Sequence, residues 1–290
     1  MRWLLVGAMA LALGGGAAAA PLGMVADPCP PPAAPDPLGQ EISEALVADA
    51  PFPPALLARA MEPARGAAAE AAKAQKAAVD WADLCRYRQE NATARDVETV
   101  FMGDSITELW KVADPGFFDA RRLDRGISGQ TSAQMLLRFF ADVVALKPKV
   151  VHILAGTNDV AGNQGPSRPE DFKNNIKSMA DMADANGVAV VIGAVPPADR
   201  FLWRAELKPA AQIAELNAWL KAFAAERGYA FADYHAAMAT PAGAMAPSFS
   251  KDFVHPNRAG YAVMRPLAEA ALEEARRRGP RRTALHESRP

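Results

Sequence analysis

From residue 97 onward, short apolar runs alternate with longer stretches in which apolar residues recur at helical spacing. The strand-like runs span residues 97–103, 121–127, 149–156, 188–195 and 229–234. The helix-like stretches span residues 132–148, 169–187, 209–228 and roughly 258–278. We expect Pro266 to break the last helix, because proline removes a helical hydrogen bond. Strands that alternate with helices predict parallel strands joined by crossover helices, and hence a three-layer α/β/α sandwich whose sheet is covered on both faces.

The first 96 residues differ in composition and predict separate segments. Residues 1–20 combine a basic start, an apolar stretch and a small-residue ending, which is the layout of a secretory signal peptide. Residues 21–40 carry seven prolines, and residues 41–96 are rich in alanine and charge, with 64–91 as the clearest helix. The expected segments are a signal peptide (1–20), a Pro-rich extended arm (21–40), a helical N-terminal extension (41–96), an α/β domain (97–278) and a basic, disordered tail (279–290).

Charge and composition narrow the possible partners and compartments. The formal net charge is -1, so no overall field attracts nucleic acid or an anionic membrane. No second apolar segment is long enough to span a bilayer, so we expect a periplasmic or secreted protein with no stable membrane anchor after signal cleavage. An uncleaved N-terminal anchor is the alternative. In an oxidising compartment, Cys29 and Cys85 are expected to form one bridge. No CxxC, HExxH or glycine-rich phosphate loop occurs, so we expect no metal and no other cofactor.

Polar, glycine-bearing turns follow the first three predicted strands. Residues 103–105 read Gly-Asp-Ser, residues 128–130 read Ser-Gly-Gln, and residues 156–159 read Gly-Thr-Asn-Asp. Sites in open parallel sheets form at the carboxyl ends of the strands. We therefore expect these turns to converge on one edge of the sheet and to form a site there.

Serine is a weak nucleophile unless a positioned base takes its proton, and the chain offers a candidate base. His255 follows Asp252 by three residues, a spacing that lets the carboxylate fold back in a turn and accept the Nδ1 proton. The Nε2 atom of His255 is then left to face Ser105. A surface capping arrangement of the Asp-x-x-His pair is the alternative. The other histidines are interpreted as a core residue, a structural residue at a helix start and a tail residue: His152, His235 and His286.

Attack on an ester also builds a negatively charged oxygen, which needs preformed hydrogen-bond donors. The backbone N–H of Ser105, at a predicted helix start, is one candidate. The backbone N–H of Gly129 is a second, because glycine lets a substrate approach closely. The side-chain amide of Asn158 is the third, although a simple turn with Asx bonding also accounts for its sequence.

These motifs resemble those of the SGNH, or GDSL-like, hydrolases. The segments "GDSIT", "RGISGQT", "GTND" and "DFVHPN" are similar to the family's sequence blocks, in order and at the usual spacings, within residues 97–275. The resemblance implies a flavodoxin-like, parallel five-stranded sheet. It also implies a Ser105–His255–Asp252 triad and an oxyanion hole of Ser105, Gly129 and Asn158.

One position departs from the family pattern. Gln130 stands where aspartate is commoner in the family, which puts the bonding of that loop in doubt. It leaves the assignment of the triad unaffected, because Gln130 is not a catalytic position.

The expected activity is that of a secreted or periplasmic serine esterase that hydrolyses short-chain acyl esters through an acyl-enzyme. No large insertion interrupts the domain, so an open site is expected to favour acetyl esters of small molecules or glycans. Asp104, Trp203 and Arg204 are the expected substrate contacts. The alternatives are a lysophospholipase or thioesterase, an acyltransferase on the same fold, and a non-catalytic carbohydrate-binding module.

Overall fold

The computed structural model describes residues 23–24, 27–31 and 36–281. The chain divides into two compact units, Met1–Ala34 and Pro35–Pro290. The few described residues of the first unit form neither a helix nor a strand. The predicted signal peptide at 1–20 lies outside the described residues, as does the predicted tail beyond residue 281. Neither cysteine of the chain is a free thiol.

A parallel sheet of five strands lies at the centre of the second unit, in the spatial order β2-β1-β3-β4-β5. The strands are β1 (Thr99–Gly103), β2 (Arg122–Gly126), β3 (Val150–Leu154), β4 (Ala189–Gly193) and β5 (Ala230–Ala232). Gly103, the last residue of β1, pairs with Gly126 of β2 and with Leu154 of β3. Three strands therefore end side by side, and the turns that follow them meet at one edge of the sheet.

Helices precede the sheet and cover both of its faces. Among the described residues, four come before the first strand: α1 (Pro37–Val47), α2 (Pro54–Ala60), α3 (Pro63–Val79) and α4 (Arg88–Thr93). The others are α5 (Ser105–Ala113), α6 (Ser132–Asp142), α7 (Thr157–Ala161), α8 (Pro169–Ala185), α9 (Ala210–Arg227), α10 (Tyr234–Met238) and α11 (Arg258–Arg278). Buried residues of α6, α8 and α9 form one core cluster, and those of α1, α5, α10 and α11 form the other. The predicted three-layer α/β/α sandwich with a flavodoxin-like strand order is confirmed.

The predicted break at Pro266 is wrong, because α11 runs without interruption from Arg258 to Arg278. Its apolar face is buried in the core, and this burial outweighs the hydrogen bond that proline cannot donate. The buried residues of α11 are Gly260, Tyr261, Met264, Ala268, Ala271, Leu272 and Ala275.

The N-terminal helices begin and end at other residues than the sequence predicts. The arm expected to extend to residue 40 already turns helical at Pro37, because Asp36 caps α1 by accepting a hydrogen bond from Gly39 N. The single helix expected over 64–91 is divided into α3 and α4. The Asp80 carboxylate accepts hydrogen bonds from two backbone N–H groups, those of residues 84 and 85, at 2.8 and 3.0 Å. This turn replaces helical bonding between the two helices.

The predicted helix over 132–148 is also shorter than expected. Helix α6 ends at Asp142, and a short 3-10 turn, Val144–Leu146, follows it. Along the described residues, no helix combines the length and the apolar character that crossing a membrane requires.

A buried guanidinium joins the carboxyl ends of β1 and β2. Arg138 of α6 is fully buried and donates hydrogen bonds to the carbonyls of Gly103 and Arg125, at 2.9 and 2.8 Å. It also donates to the Gln130 side chain at 2.6 Å and pairs with the Asp142 carboxylate at 2.9 Å. The ends of two strands and the loop after β2 are therefore held to one side chain.

We predict that Arg138→Met lowers the free energy of unfolding by about 3–5 kcal/mol, because it leaves the Asp142 carboxylate buried without its cation. Urea unfolding measures the change. Arg59→Met is the matched control, because Arg59 pairs with Glu41 where both side chains are about half exposed. In the control variant, the free energy of unfolding should fall by no more than about 1 kcal/mol. Equal losses in the two variants would contradict the role of Arg138.

Candidate active site

The Gly-Asp-Ser segment forms a tight turn from β1 into α5. Ser105 is the first residue of α5, and Asp104 caps that helix by accepting a hydrogen bond from Ile106 N at 2.9 Å. Gly103 is required because a Cβ at this position would collide with the Thr107 side chain. The turn thus places the Ser105 hydroxyl at the carboxyl edge of the sheet.

The structure brings the three predicted triad residues into one hydrogen-bonded chain. Ser105 Oγ lies 2.8 Å from His255 Nε2, and His255 Nδ1 lies 2.6 Å from Asp252 Oδ2. The other carboxylate oxygen of Asp252 accepts hydrogen bonds from the backbone N–H groups of Val254 and His255. Phe253, in the middle of this turn, has φ of 71°, a left-handed conformation that is uncommon outside glycine. The carboxylate therefore folds back onto the imidazole, as the three-residue spacing predicts.

The electrostatics of the triad favour an ionised carboxylate beside the imidazole. Burial alone would lower the pKa of His255, but the carboxylates of Asp252 and Asp104 outweigh burial and raise it above its usual value. Burial favours the neutral form of Asp252, but the charge of His255 and the hydrogen bonds to the carboxylate lower the pKa of Asp252 to about 2. Asp252 is therefore charged at neutral pH and stabilises a protonated His255.

We predict that His255 titrates with a pKa above the ordinary 6.5 and that Asp252→Asn lowers this pKa, because the variant removes the adjacent negative charge. The wild-type imidazole should then stay protonated to a higher pH than that of the variant. NMR titration of the ring nitrogens measures both values. His152 is an internal control, since burial lowers its pKa to about 3 and keeps it neutral over the pH range of the titration. Identical His255 pKa values in the two proteins would contradict the electrostatic role of Asp252.

The other described histidines lie away from the triad. His152 is buried in β3, where its Nε2 atom bonds the Tyr234 hydroxyl at 2.8 Å and its ring packs on Phe101. His235 lies in α10, and burial lowers its pKa. The placement of His152 agrees with its interpretation as a core residue. His286 is outside the described residues.

The loop after β2 places Gly129 between two anchored residues. Ser128 is held by the Glu108 carboxylate, which accepts hydrogen bonds from its N–H at 2.9 Å and its hydroxyl at 2.6 Å. The Gln130 side chain donates to the Ala82 carbonyl at 2.8 Å. Gly129 itself has φ of 80°, and a Cβ added there would meet no atom within 4 Å. The loop therefore needs glycine for its conformation and leaves open space beside it.

Asn158, in the first turn of α7, is oriented by three partners. Its Nδ2 atom donates hydrogen bonds to Asp104 Oδ2 and to the Gln130 carbonyl, both at 3.0 Å. Its Oδ1 atom accepts a hydrogen bond from Asn163 Nδ2. Both hydrogens of the Asn158 side-chain amide thus have acceptors within the protein. An oxyanion would therefore share one of these hydrogens with its present acceptor. The partners place the amide beside Asp104, which adjoins Ser105.

The structure buries Asp104, which the sequence predicted as a substrate contact. It is only 1% exposed, and its two carboxylate oxygens accept hydrogen bonds from Ile106 N and Asn158 Nδ2. Burial is the main influence on this carboxyl and raises its pKa to about 6. Asp104 is therefore a positioning residue that links the serine turn to Asn158.

The two other predicted substrate contacts differ in their placement. The Trp203 ring is 43% exposed, and its centroid lies 6.3 Å from that of the His255 ring. The Arg204 guanidinium instead pairs with Glu206 at 2.9 Å. Trp203 therefore adjoins the triad, whereas the described contacts of Arg204 are with its own loop.

Several residues that shape the site have no obvious sequence motif. Glu108 and Arg138 hold the loop of Gly129, and the carbonyl of Ala82 does so from the segment between α3 and α4. One signal was available for Arg138. It stands with Asp142, four residues on, along a face of α6 that also buries the apolar side chains of Met135 and Phe139 and the polar side chain of Gln134. A charged pair at that spacing on an apolar face indicates a buried ion pair. In the part of the chain that the structure describes, no three His, Cys, Asp or Glu side chains are grouped to hold a metal ion.

The chain belongs to the GDSL-like lipase/acylhydrolase family, whose sequence profile matches residues 101–263. Two solved Bacteroides structures are similar over 68% of this chain, each with a TM-score of 0.66. One, described as an acylhydrolase from Bacteroides fragilis NCTC 9343, is 41% identical, with 99% of its chain covered. The other, a GDSL-like lipase from Bacteroides thetaiotaomicron VPI-5482, is 42% identical over its whole length. The expected family is confirmed.

Sequence similarity to a curated protein covers a shorter segment. An uncharacterised lipoprotein of Bacillus subtilis strain 168 is 33% identical over 87 residues, which make up 29% of this chain and 35% of that protein. The match thus spans about a third of the length of this curated relative.

Proposed function

We propose that the protein is a serine esterase that hydrolyses short-chain acyl esters, acetyl esters foremost, through an acyl-enzyme. The observation that carries this proposal is the hydrogen-bonded chain from Ser105 through His255 to Asp252, with distances of 2.8 and 2.6 Å. A nucleophile, a base and a carboxylate in this order are the parts that acyl transfer needs. Membership of an acylhydrolase family supports the same chemistry.

In the proposed reaction, Ser105 Oγ attacks the ester carbonyl carbon while its proton passes to His255 Nε2. Asp252 keeps the Nδ1 proton of His255 in place and stabilises the imidazolium. When the tetrahedral intermediate collapses, the C–O bond to the alcohol breaks and His255 gives its proton to the departing oxygen. Water then attacks the acyl-enzyme, His255 takes its proton, and the acid is released as Ser105 regains the proton.

The negative oxygen of each intermediate needs donors at the carboxyl edge of the sheet. We assign this role to the backbone N–H groups of Ser105 and Gly129 and to the side-chain amide of Asn158. The first N–H groups of a helix have no partner within the helix, which suits Ser105 for this role. Asp104 fixes the Asn158 amide before substrate arrives, and this reduces the cost of orienting it during the reaction.

The loops that border the site carry no large insertion, and this supports a preference for short acyl groups. Residues 162–168 join α7 to α8, and residues 194–209 join β4 to α9. Burial of a methylene group is worth about 0.8 kcal/mol only where an apolar wall meets it. An open site bounded by such loops gains little from a long acyl chain. Acetyl esters, including those carried by sugars, are therefore the proposed substrates.

We also propose that the protein is exported to the periplasm or secreted. The basic, apolar and small-residue order of residues 1–20 supports this, and so does the similarity to a lipoprotein.

We predict that kcat/KM for 4-nitrophenyl esters is highest from acetyl to butyryl and lower by decanoyl, because the site offers little wall to a longer chain. Ser105→Ala is the control and should lower kcat by about 10⁴–10⁶-fold while the thermal unfolding curve stays the same. An optimum at eight carbons or more would favour a lysophospholipase or thioesterase instead. Near-normal turnover of Ser105→Ala would overturn the esterase mechanism.

We further predict that Asn158→Ala lowers kcat by about 10²–10³-fold, the usual loss for one oxyanion donor, with a smaller change in KM. Steady-state kinetics with 4-nitrophenyl acetate measures both constants. Asn186→Ala is the matched control, because Asn186 lies at the C-terminus of α8 and bonds only the Met182 carbonyl through its amide. A loss confined to KM would show that Asn158 binds substrate and does not stabilise the oxyanion.

A further inference from the structure

Trp81, between α3 and α4, lies at the rim of the site although it is outside the family-matched residues. Its carbonyl accepts a hydrogen bond from the Gln134 side chain at 2.7 Å, and its indole N–H donates to Gln164 Oε1 at 3.3 Å. The next carbonyl, that of Ala82, holds Gln130 beside Gly129. Trp81 is thereby placed between the loop of Gly129 and the loop of residues 162–168.

A second tryptophan flanks the same loop. The indole N–H of Trp203 donates to Asn163 Oδ1 at 2.9 Å, and Asn163 is the chain neighbour of Gln164. Asn163 also bonds the Asn158 amide. We call Trp81, Asn163, Gln164 and Trp203 the indole rim. Two hydrogen bonds and the peptide link from Asn163 to Gln164 join it from the extension to the side of the triad.

The two indoles expose flat apolar surface where a ligand can use it. Trp81 is 39% exposed and Trp203 is 43% exposed, and each indole N–H already has a side-chain acceptor. With its N–H already bonded, each indole offers a ligand apolar ring surface. Large aromatic side chains with few rotatable bonds lose little entropy on binding, and they are enriched where proteins recognise ligands.

The position of Trp203 indicates which half of an ester the rim contacts. In the proposed reaction, His255 Nε2 gives its proton to the departing alcohol oxygen, so the alcohol passes next to this imidazole. The Trp203 ring lies 6.3 Å from the His255 ring, centroid to centroid, and packs on Phe201 behind it. The alcohol half of the ester is therefore the half that meets the indole rim.

We infer that Trp81 and Trp203 form a subsite for the alcohol half of the ester, and that this alcohol is an oligosaccharide. The inference rests on the proposed esterase function. In the indole rim, two indoles flank the side-chain amides of Asn163 and Gln164, and this combination of apolar and polar groups matches sugar rings with apolar faces and hydroxyl edges. A lipid chain would instead require a continuous apolar wall. The N-terminal extension thus supplies a specificity-determining residue to the family domain.

The test compares acetylated xylo-oligosaccharides, from monomer to tetramer, with 4-nitrophenyl acetate. The readout is the ratio of kcat/KM for the tetramer to kcat/KM for 4-nitrophenyl acetate. We expect Trp81→Ala to lower this ratio about tenfold, mainly through the KM for the tetramer, a change of about 1.4 kcal/mol. Trp81→Phe should restore most of the ratio because it keeps an aromatic face. Phe140→Ala is the control, since Phe140 is a 60% exposed aromatic residue of α6 outside the rim.

Binding is measured separately from turnover. In the Ser105→Ala protein, the acetylated tetramer should quench tryptophan fluorescence in a saturable way, and the additional change Trp81→Ala should weaken that binding by a similar factor.

Failure of the inference and failure of the proposed function give different results. A wild-type protein that hydrolyses 4-nitrophenyl acetate but not the oligosaccharides would overturn the subsite and leave the esterase intact. Equal losses on both substrates in Trp81→Ala would also overturn it, because Trp81 would then act only through the neighbouring loop. A wild-type protein inactive on every ester would contradict the esterase proposal itself.

Discussion

Four hydrogen bonds from the buried guanidinium of Arg138 join the parts of the molecule on which the site depends. Two of them end on the carbonyls of Gly103 and Arg125, at the carboxyl ends of β1 and β2. The others fix Gln130, in the loop after β2, and Asp142, which neutralises the charge. A guanidinium suits this place because its planar set of donors can serve several acceptors at once. Since the serine turn starts at Gly103, the position of Ser105 follows from this anchor.

The polar groups of the site are then oriented in pairs. Asp104 caps the helix of Ser105 and at the same time accepts a hydrogen bond from Asn158, so the serine turn and the proposed oxyanion donor move together. Asp252 binds the imidazole of His255 with one carboxylate oxygen and the backbone of its own turn with the other. Each carboxylate is held by more than one hydrogen bond. This preorganisation is what electrostatic catalysis requires.

The strands and the pairing of Asp252 with His255 could be predicted because their signals are local, whereas the strand order and the placement of Ser105 beside His255 followed from the family resemblance. An apolar run of strand length, or the three-residue spacing from Asp252 to His255, is visible within one short segment. The features that the sequence did not predict depend on contacts between distant segments. The hydrogen bond between Asp104 and Asn158, the uninterrupted helix at Pro266 and the placement of Trp81 are decided by tertiary packing, and no short-range pattern shows them. The intrinsic preference of a short segment for a helix or a strand is overridden where burial or a buried hydrogen bond contributes more free energy.

The N-terminal extension, residues 41–96, forms hydrogen bonds with the loop and the strand end that border the site. Its Tyr87 hydroxyl bonds the carbonyl of Gly126 at the end of β2, and its Ala82 carbonyl bonds Gln130. Contacts of this kind explain why Gln130 can replace the aspartate that is commoner in the family, because the amide both donates to the extension and accepts from Arg138.

Labelling with a fluorophosphonate tests most directly whether Ser105 is a nucleophile activated by His255. The reagent bonds to a serine oxygen only when a neighbouring base makes that oxygen reactive. Peptide mapping by mass spectrometry should find one adduct per chain, on Ser105, and His255→Ala should abolish it while the protein remains folded. An adduct on another residue, or equal labelling of Ser105 without His255, would contradict the proposed mechanism.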